Sequence, residues 1–188
     1  MISHKKKFFF AHIPKTGGNS IQTALKDYAD EEEFVYFNNR FGQNQDMAVM
    51  DKNGQNIKHR SVSWFLREHP ELKDYYKFTC VRNPWDRAVS RYFWAIDHFD
   101  KRAFKMVINH PEFRAQKFDY DGADFIMKFE NLQEDFNKVC NELKIEKVEL
   151  PTLNKSKRGD YRQYYDEETK ALVAEKFKVD IEELGYEF

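Results

Sequence analysis

Two stretches of this chain combine residue types suited to holding an anion. Pro14-Lys15-Thr16-Gly17-Gly18-Asn19-Ser20 packs a lysine, two hydroxyls and a glycine pair into seven residues. Glycines let backbone N–H groups approach a phosphate-like oxygen, Lys15 adds a mobile charge, and Thr16 and Ser20 add hydroxyl donors. Arg82-Asn83-Pro84-Trp85-Asp86-Arg87-Ala88-Val89-Ser90-Arg91 supplies three arginines, with Ser90 about two helical turns beyond Arg82. Asn154-Lys155-Ser156-Lys157-Arg158-Gly159 is a third, basic stretch that reads as a loop. Residues 8–25 carry +1, residues 82–91 carry +2 and residues 154–162 carry +3. The chain as a whole is −1, so its other 151 residues hold −7, and positive charge gathers where a polyanionic ligand would sit. Each stretch also has a plainer reading: a βα turn with a hydroxyl cap, a surface helix with arginines paired to Asp86, and a solvated basic turn.

The elements that must position these groups are legible in the apolar pattern. Lys7 to Ile13 is largely apolar, is closed by Pro14 and reads as a short buried strand. A helix follows over Ser20 to Tyr28, with Ile21, Ala24, Leu25 and Tyr28 at helical spacing. Tyr75 to Val81 is a second buried strand, stopped by Asn83-Pro84, and Pro84 is well placed to open a helix reaching about His98. Residues 38–58 are polar and read as a long loop, of the kind that is often functional. Helices are predicted over Ser61 to Glu68, Lys101 to Asn109, Glu130 to Leu143 and Glu167 to Phe177, and a third strand over Phe125 to Phe129. Strands alternating with helices predict an α/β fold, a parallel sheet covered by helices on both faces, in one domain over 1–188.

Composition narrows the function classes. The chain has 188 residues, is 41% hydrophobic and 34% charged, and contains 31 aromatics, which suits one folded domain and excludes a disordered tail. A net charge of −1 gives no overall field for nucleic acid. No run approaches the roughly 18 apolar residues of a membrane span, and the apolar run after Lys7 is broken by His12 and Lys15 before it makes a signal peptide. Cys80 and Cys140 sit in apolar segments and read as core residues of a reducing compartment, which points to the cytoplasm. A G-x-x-x-x-G-K-[ST] phosphate loop is the obvious competitor. Here the lysine precedes the glycines, and the strand ending at Val81 runs into Arg82 rather than an aspartate able to hold Mg²⁺. Metal-free anion transfer therefore fits better than ATP hydrolysis, with a nucleotide kinase as the alternative.

Two motifs together carry a family resemblance. Phe10-Ala11-His12-Ile13-Pro14-Lys15-Thr16-Gly17-Gly18-Asn19-Ser20 resembles the 5′-phosphosulfate loop of sulfotransferases that use 3′-phosphoadenosine 5′-phosphosulfate (PAPS). Phe78-Thr79-Cys80-Val81-Arg82-Asn83-Pro84-Trp85-Asp86-Arg87, with Ser90, is similar to their 3′-phosphate motif, and the order and gap resemble the carbohydrate-type branch. Phe129-Glu130-Asn131-Leu132 and Asp180-Ile181-Glu182 through Gly185-Tyr186 also resemble family segments. The resemblance implies a P-loop-like α/β fold and PAPS as co-substrate, with no metal. It implies that Lys15 contacts the transferring sulfuryl group and the bridging oxygen. Thr16, Gly17, Gly18, Asn19 and Ser20 would hold the 5′-phosphate, and Arg82 and Ser90 the 3′-phosphate. Asn19 stands where many relatives have Thr or Ser. With PAPS as ligand, Ser156, Lys157 and Arg158 read as a loop folding over the nucleotide. Secretory relatives carry membrane anchors, so a chain without one is expected to be a bacterial or viral-like protein of the cytoplasm.

Sulfuryl transfer, like phosphoryl transfer, needs positioning and charge stabilisation, and the acceptor hydroxyl needs a base. Relatives with a histidine base carry it between the two motifs, where His59 lies. His59 is the expected base and Glu130 the second choice, while His12, inside the first strand, reads as a packed core histidine. The sequence thus points to a PAPS-dependent sulfotransferase acting on a hydroxyl of a glycan or polyhydroxylated small molecule. An inactive nucleotide-binding module is the non-enzymatic alternative.

Overall fold

A computed structural model describes residues 1–29, 33–38, 45–50, 53–154 and 158–188. The chain divides into two compact units, residues 1–81 with 119–154, and residues 82–118 with 155–188.

The first unit is built on a four-stranded sheet ordered β1(Ile2–Ser3), β2(Phe8–Ala11), β5(Tyr76–Val81), β6(Phe125–Lys128). β2 pairs parallel with β5 (Phe10 opposite Phe78), and β5 pairs parallel with β6 (Cys80 opposite Met127). Every residue of β2 is buried, because a central strand of a parallel sheet is covered on both faces. Alternation then sorts the side chains. Phe8 and Phe10 pack with Ile21 and Leu25 of α1(Gly18–Leu25) and with Phe136, Val139 and Cys140 of α6(Leu132–Leu143). Phe9 and Ala11 face the other way, onto Val62 and Phe65 of α2(Val62–Glu68) and onto Leu72. This is the α/β sheet with helices on both faces, with one addition. The two-residue β1 pairs antiparallel with β2 at the sheet edge, a strand too short for sequence periodicity to reveal.

Where a long loop is expected over 38–58, the backbone instead makes part of a hairpin. β3(Glu33–Asn38) and β4(Gln45–Met50) pair antiparallel, Val35 opposite Ala48. The apolar run Met47-Ala48-Val49-Met50 explains this, since Val49 is fully buried and its carbonyl accepts from the Ile57 amide at 2.8 Å. The helix expected from Glu130 starts at Leu132, after a single 3₁₀ turn over Phe129–Asn131.

The second unit is helical: α3(Pro84–Ala95), α4(Lys101–Asn109), α7(Glu167–Lys176) and α8(Lys178–Leu184). A short α5(Lys117–Tyr120) precedes β6 in the chain. Trp85, Val89, Tyr92, Phe104, Ile108, Phe113, Val173 and Phe177 form its core. Asn83 caps α3, its Oδ1 accepting from the Trp85 amide at 3.0 Å, with Pro84 in the first turn. α3 stops at Ala95 rather than His98 because the Tyr92 hydroxyl gathers the chain beyond it, donating to His98 O at 2.9 Å and accepting from Asp100 N at 2.8 Å. Asp166 and Thr169 form a reciprocal capping box on α7. Cys80 and Cys140 are buried free thiols. Among the described residues, no helix is long and apolar enough to cross a membrane.

Candidate functional site

The glycine turn joins the end of β2 to α1, in the place where open α/β sheets bind ligands. Lys15 takes a left-handed backbone conformation (φ 73°) and so does Gly17 (φ 83°). For Lys15 that conformation carries a steric cost of about 1–2 kcal/mol, which the surrounding fold must offset. Phe129 and Leu132 support the turn from below. A β-carbon on Gly17 would lie 3.0 Å from Leu132 and 3.1 Å from Phe129, so this motif forms the floor of the turn. Thr16 is buried and its hydroxyl donates to Ile13 O at 2.9 Å, which braces the turn. The Ser20 amide closes back onto Gly17 O at 3.0 Å and begins α1, while Ser20 itself is buried.

His12 lies directly behind this turn. Its ring occupies the space a β-carbon on Gly18 would need. The Nδ1–H donates to Gln22 Oε1 of α1 at 2.9 Å. Burial, with the neighbouring charges of His59 and Lys58, holds the His12 imidazole well below its ordinary pKa, so it is neutral. Gln22 Nε2 is buried and, among the described groups, has no hydrogen-bond partner. Two glycines with no room for a side chain fit a turn whose backbone can approach an anionic group closely.

His59 approaches the same place from outside. It is exposed, its ring centre stands 4.7 Å from that of His12, and its Nδ1 is 3.2 Å from His12 O. A carbonyl only accepts, so Nδ1 carries the proton and Nε2 is the basic nitrogen. Forty-seven residues separate the two histidines in sequence, and the fold brings them into contact. Glu130 is exposed on the 3₁₀ turn whose flanking Phe129 supports Gly17.

In the second unit, Arg82 and Arg158 converge on one carboxylate. Arg82 Nε and Nη2 lie 2.8 Å and 2.7 Å from Asp86 Oδ2, and Arg158 Nη2 bonds Asp86 Oδ1. The side chains are only 10%, 14% and 9% exposed for Arg82, Asp86 and Arg158, so this is a mostly buried cluster rather than a surface pair. Ser90 is half-buried on α3. Ser156 and Lys157 lie outside the described residues. The sequence reading missed Gln116, whose side chain holds the Arg82 backbone, and it gave Asp180 no role. Gln116 sits in a segment without periodicity, so nothing local marks it. Among the described residues, no group of three or more His, Cys, Asp or Glu is placed to hold a metal ion.

No curated protein matches the chain. A solved bacterial structure, the sulfotransferase from Alicyclobacillus acidocaldarius, aligns with 97% of this chain and 96% of its own at 14% identity, with a TM-score of 0.43. The sequence profile of the sulfotransferase family matches residues 1–120, which include the Lys15–Ser20 turn, the segment from Arg82 to Arg91 and His59. With that match over more than half its length, the chain belongs to the sulfotransferase family and is a sulfotransferase enzyme.

Proposed function

We propose that residues 1–188 work as one domain that moves a sulfuryl group from PAPS to a hydroxyl of a carbohydrate or other polyhydroxylated acceptor, in the cytoplasm. PAPS supplies the activated sulfuryl group and a nucleotide with a phosphate on each side of the ribose. The observation that carries the reading is the turn over Lys15–Gly17, left-handed at both ends and closed underneath by Phe129 and Leu132. Such a turn at a helix N-terminus directs backbone amides at one anionic group. Thr16, Gly17, Gly18, Asn19 and Ser20 hold the 5′-phosphate there, while Lys15 stabilises the charge that builds on the bridging oxygen.

Arg82 and Ser90 bind the 3′-phosphate, joined by Arg158 and, in the segment outside the described residues, by Ser156 and Lys157. Support comes from Arg82 and Arg158, whose guanidiniums are already aligned on Asp86. Fixed guanidiniums lose little further freedom when they grip a phosphate.

His59 is the general base. Its Nδ1–H, donated to the His12 carbonyl, sets the tautomer whose Nε2 takes the acceptor proton. Glu130, exposed on the 3₁₀ turn Phe129–Asn131, is the second choice for this role.

Thermal-shift titration tests the donor assignment. Adenosine 3′,5′-bisphosphate (PAP) is expected to raise Tm well above the shift produced by ATP with Mg²⁺, because binding energy adds to stability. Equal shifts would favour a nucleotide kinase. A transfer assay with labelled PAPS against sugars, lipids and small alcohols then identifies the acceptor class.

A further inference from the structure

Arg82 is held at its backbone by a single side chain. The Arg82 amide donates to Gln116 Oε1 at 2.9 Å, and Gln116 Nε2 donates to Arg82 O at 2.9 Å. A side-chain amide that satisfies both backbone groups of one residue imitates a strand neighbour, and Arg82 stands one residue past the end of β5. Gln116 is fully buried and is itself held by Asp180 of α8. Its backbone amide donates to Asp180 Oδ2 at 2.7 Å, its Nε2 lies 3.4 Å from the same oxygen, and the Lys117 amide donates to Oδ1 at 2.9 Å.

Asp180 is 0% exposed. Burial pushes its carboxyl up, against the amide bonds from Gln116 and Lys117 and the charge of Arg87, which pull it down. A carboxylate removed from water is costly unless its acceptors are filled, and both its oxygens are directed at the Gln116-Lys117 segment. The α8 segment therefore does more than close the core: it fixes the residue that fixes Arg82.

We propose that Gln116 and Asp180 are positioning residues for recognition of the donor's 3′-phosphate, acting through Arg82. Asp180 orients the Gln116 amide, the amide sets the Arg82 peptide, and Asp86 holds the guanidinium at the far end of the same side chain. The proposal rests on the assignment of Arg82 to the 3′-phosphate. It also gives Asp180 of α8 a part in nucleotide binding rather than in packing alone.

Calorimetric titration of PAP and of adenosine 5′-monophosphate, which lacks the 3′-phosphate, separates the possibilities. Wild type is expected to bind PAP more tightly than the monophosphate. Asp180→Asn should weaken PAP by about tenfold, as coupled neighbours do, and leave the monophosphate unchanged. Gln116→Leu should do the same, and it reads the proposal if Asp180→Asn does not fold. Combining Asp180→Asn with Arg82→Ala should cost no more than Arg82→Ala alone, since one acts through the other. Parallel weakening of both ligands, additive losses, or full PAP affinity in the variants would each overturn the positioning role while leaving the donor assignment standing. A wild-type protein that does not distinguish the two nucleotides overturns the Arg82 assignment and the positioning role together.

Discussion

The imidazole of His12 fills the space into which a side chain on Gly18 would project. That relationship links the residue just past β2 to the first turn of α1, and it explains why the second glycine of the pair is needed although Gly18 is helical. Gly17 meets a different demand, a left-handed backbone pressed on Phe129 and Leu132.

Gly18→Ala is therefore expected to destabilise the protein by about 3 kcal/mol, the upper range for overpacking a site that cannot yield. Urea denaturation measures this. His12→Ala should relieve part of the cost, so the double variant is expected to be more stable than the sum of the two single losses.

His12 also makes a pH prediction. Its pKa in the folded protein is lowered by burial first, then by the charges of His59 and Lys58. Below about pH 6.5 the unfolded chain takes up a proton at this residue that the folded chain does not. Stability should then fall with acidification by up to about 1.4 kcal/mol per pH unit, and this contribution is flat above that pH. Urea midpoints at pH 7.5 and 5.5 for wild type and His12→Asn check it. The variant should lose this part of the slope.

Asp86 carries two buried arginines, and its removal should be felt in stability. Asp86→Ala takes away the carboxylate shared by Arg82 and Arg158 and is expected to cost about 3–5 kcal/mol. Arg82→Ala leaves Asp86 paired with Arg158, so its main effect should be on ligand binding, a loss of about 2–3 kcal/mol for PAP. Denaturation and calorimetry on the two variants separate these outcomes.

His59→Ala should lower turnover by roughly 10²–10⁴-fold, the contribution of a positioned base, with PAP affinity intact. The limb of the kcat–pH profile that reports the base should disappear with it. Wild-type turnover in this variant would direct attention to Glu130.

Much of this could be read along the chain because the relevant physics is local. The run Phe8-Phe9-Phe10 specifies a strand buried on both faces, Pro14 and the glycines specify the turn, and Asn83-Pro84 specifies a capped helix start. The two whole motifs around Lys15 and Arg82, with Ser90, resemble those of sulfotransferases, and that resemblance is legible without the fold. The tertiary structure decided what depends on contacts between residues far apart in sequence. It placed His59 on the carbonyl of His12, Phe129 and Leu132 under Gly17, Arg158 beside Arg82, and Gln116 and Asp180 behind it. These pairings arise only once helices and strands pack, when buried polar groups must find partners wherever the chain happens to supply them.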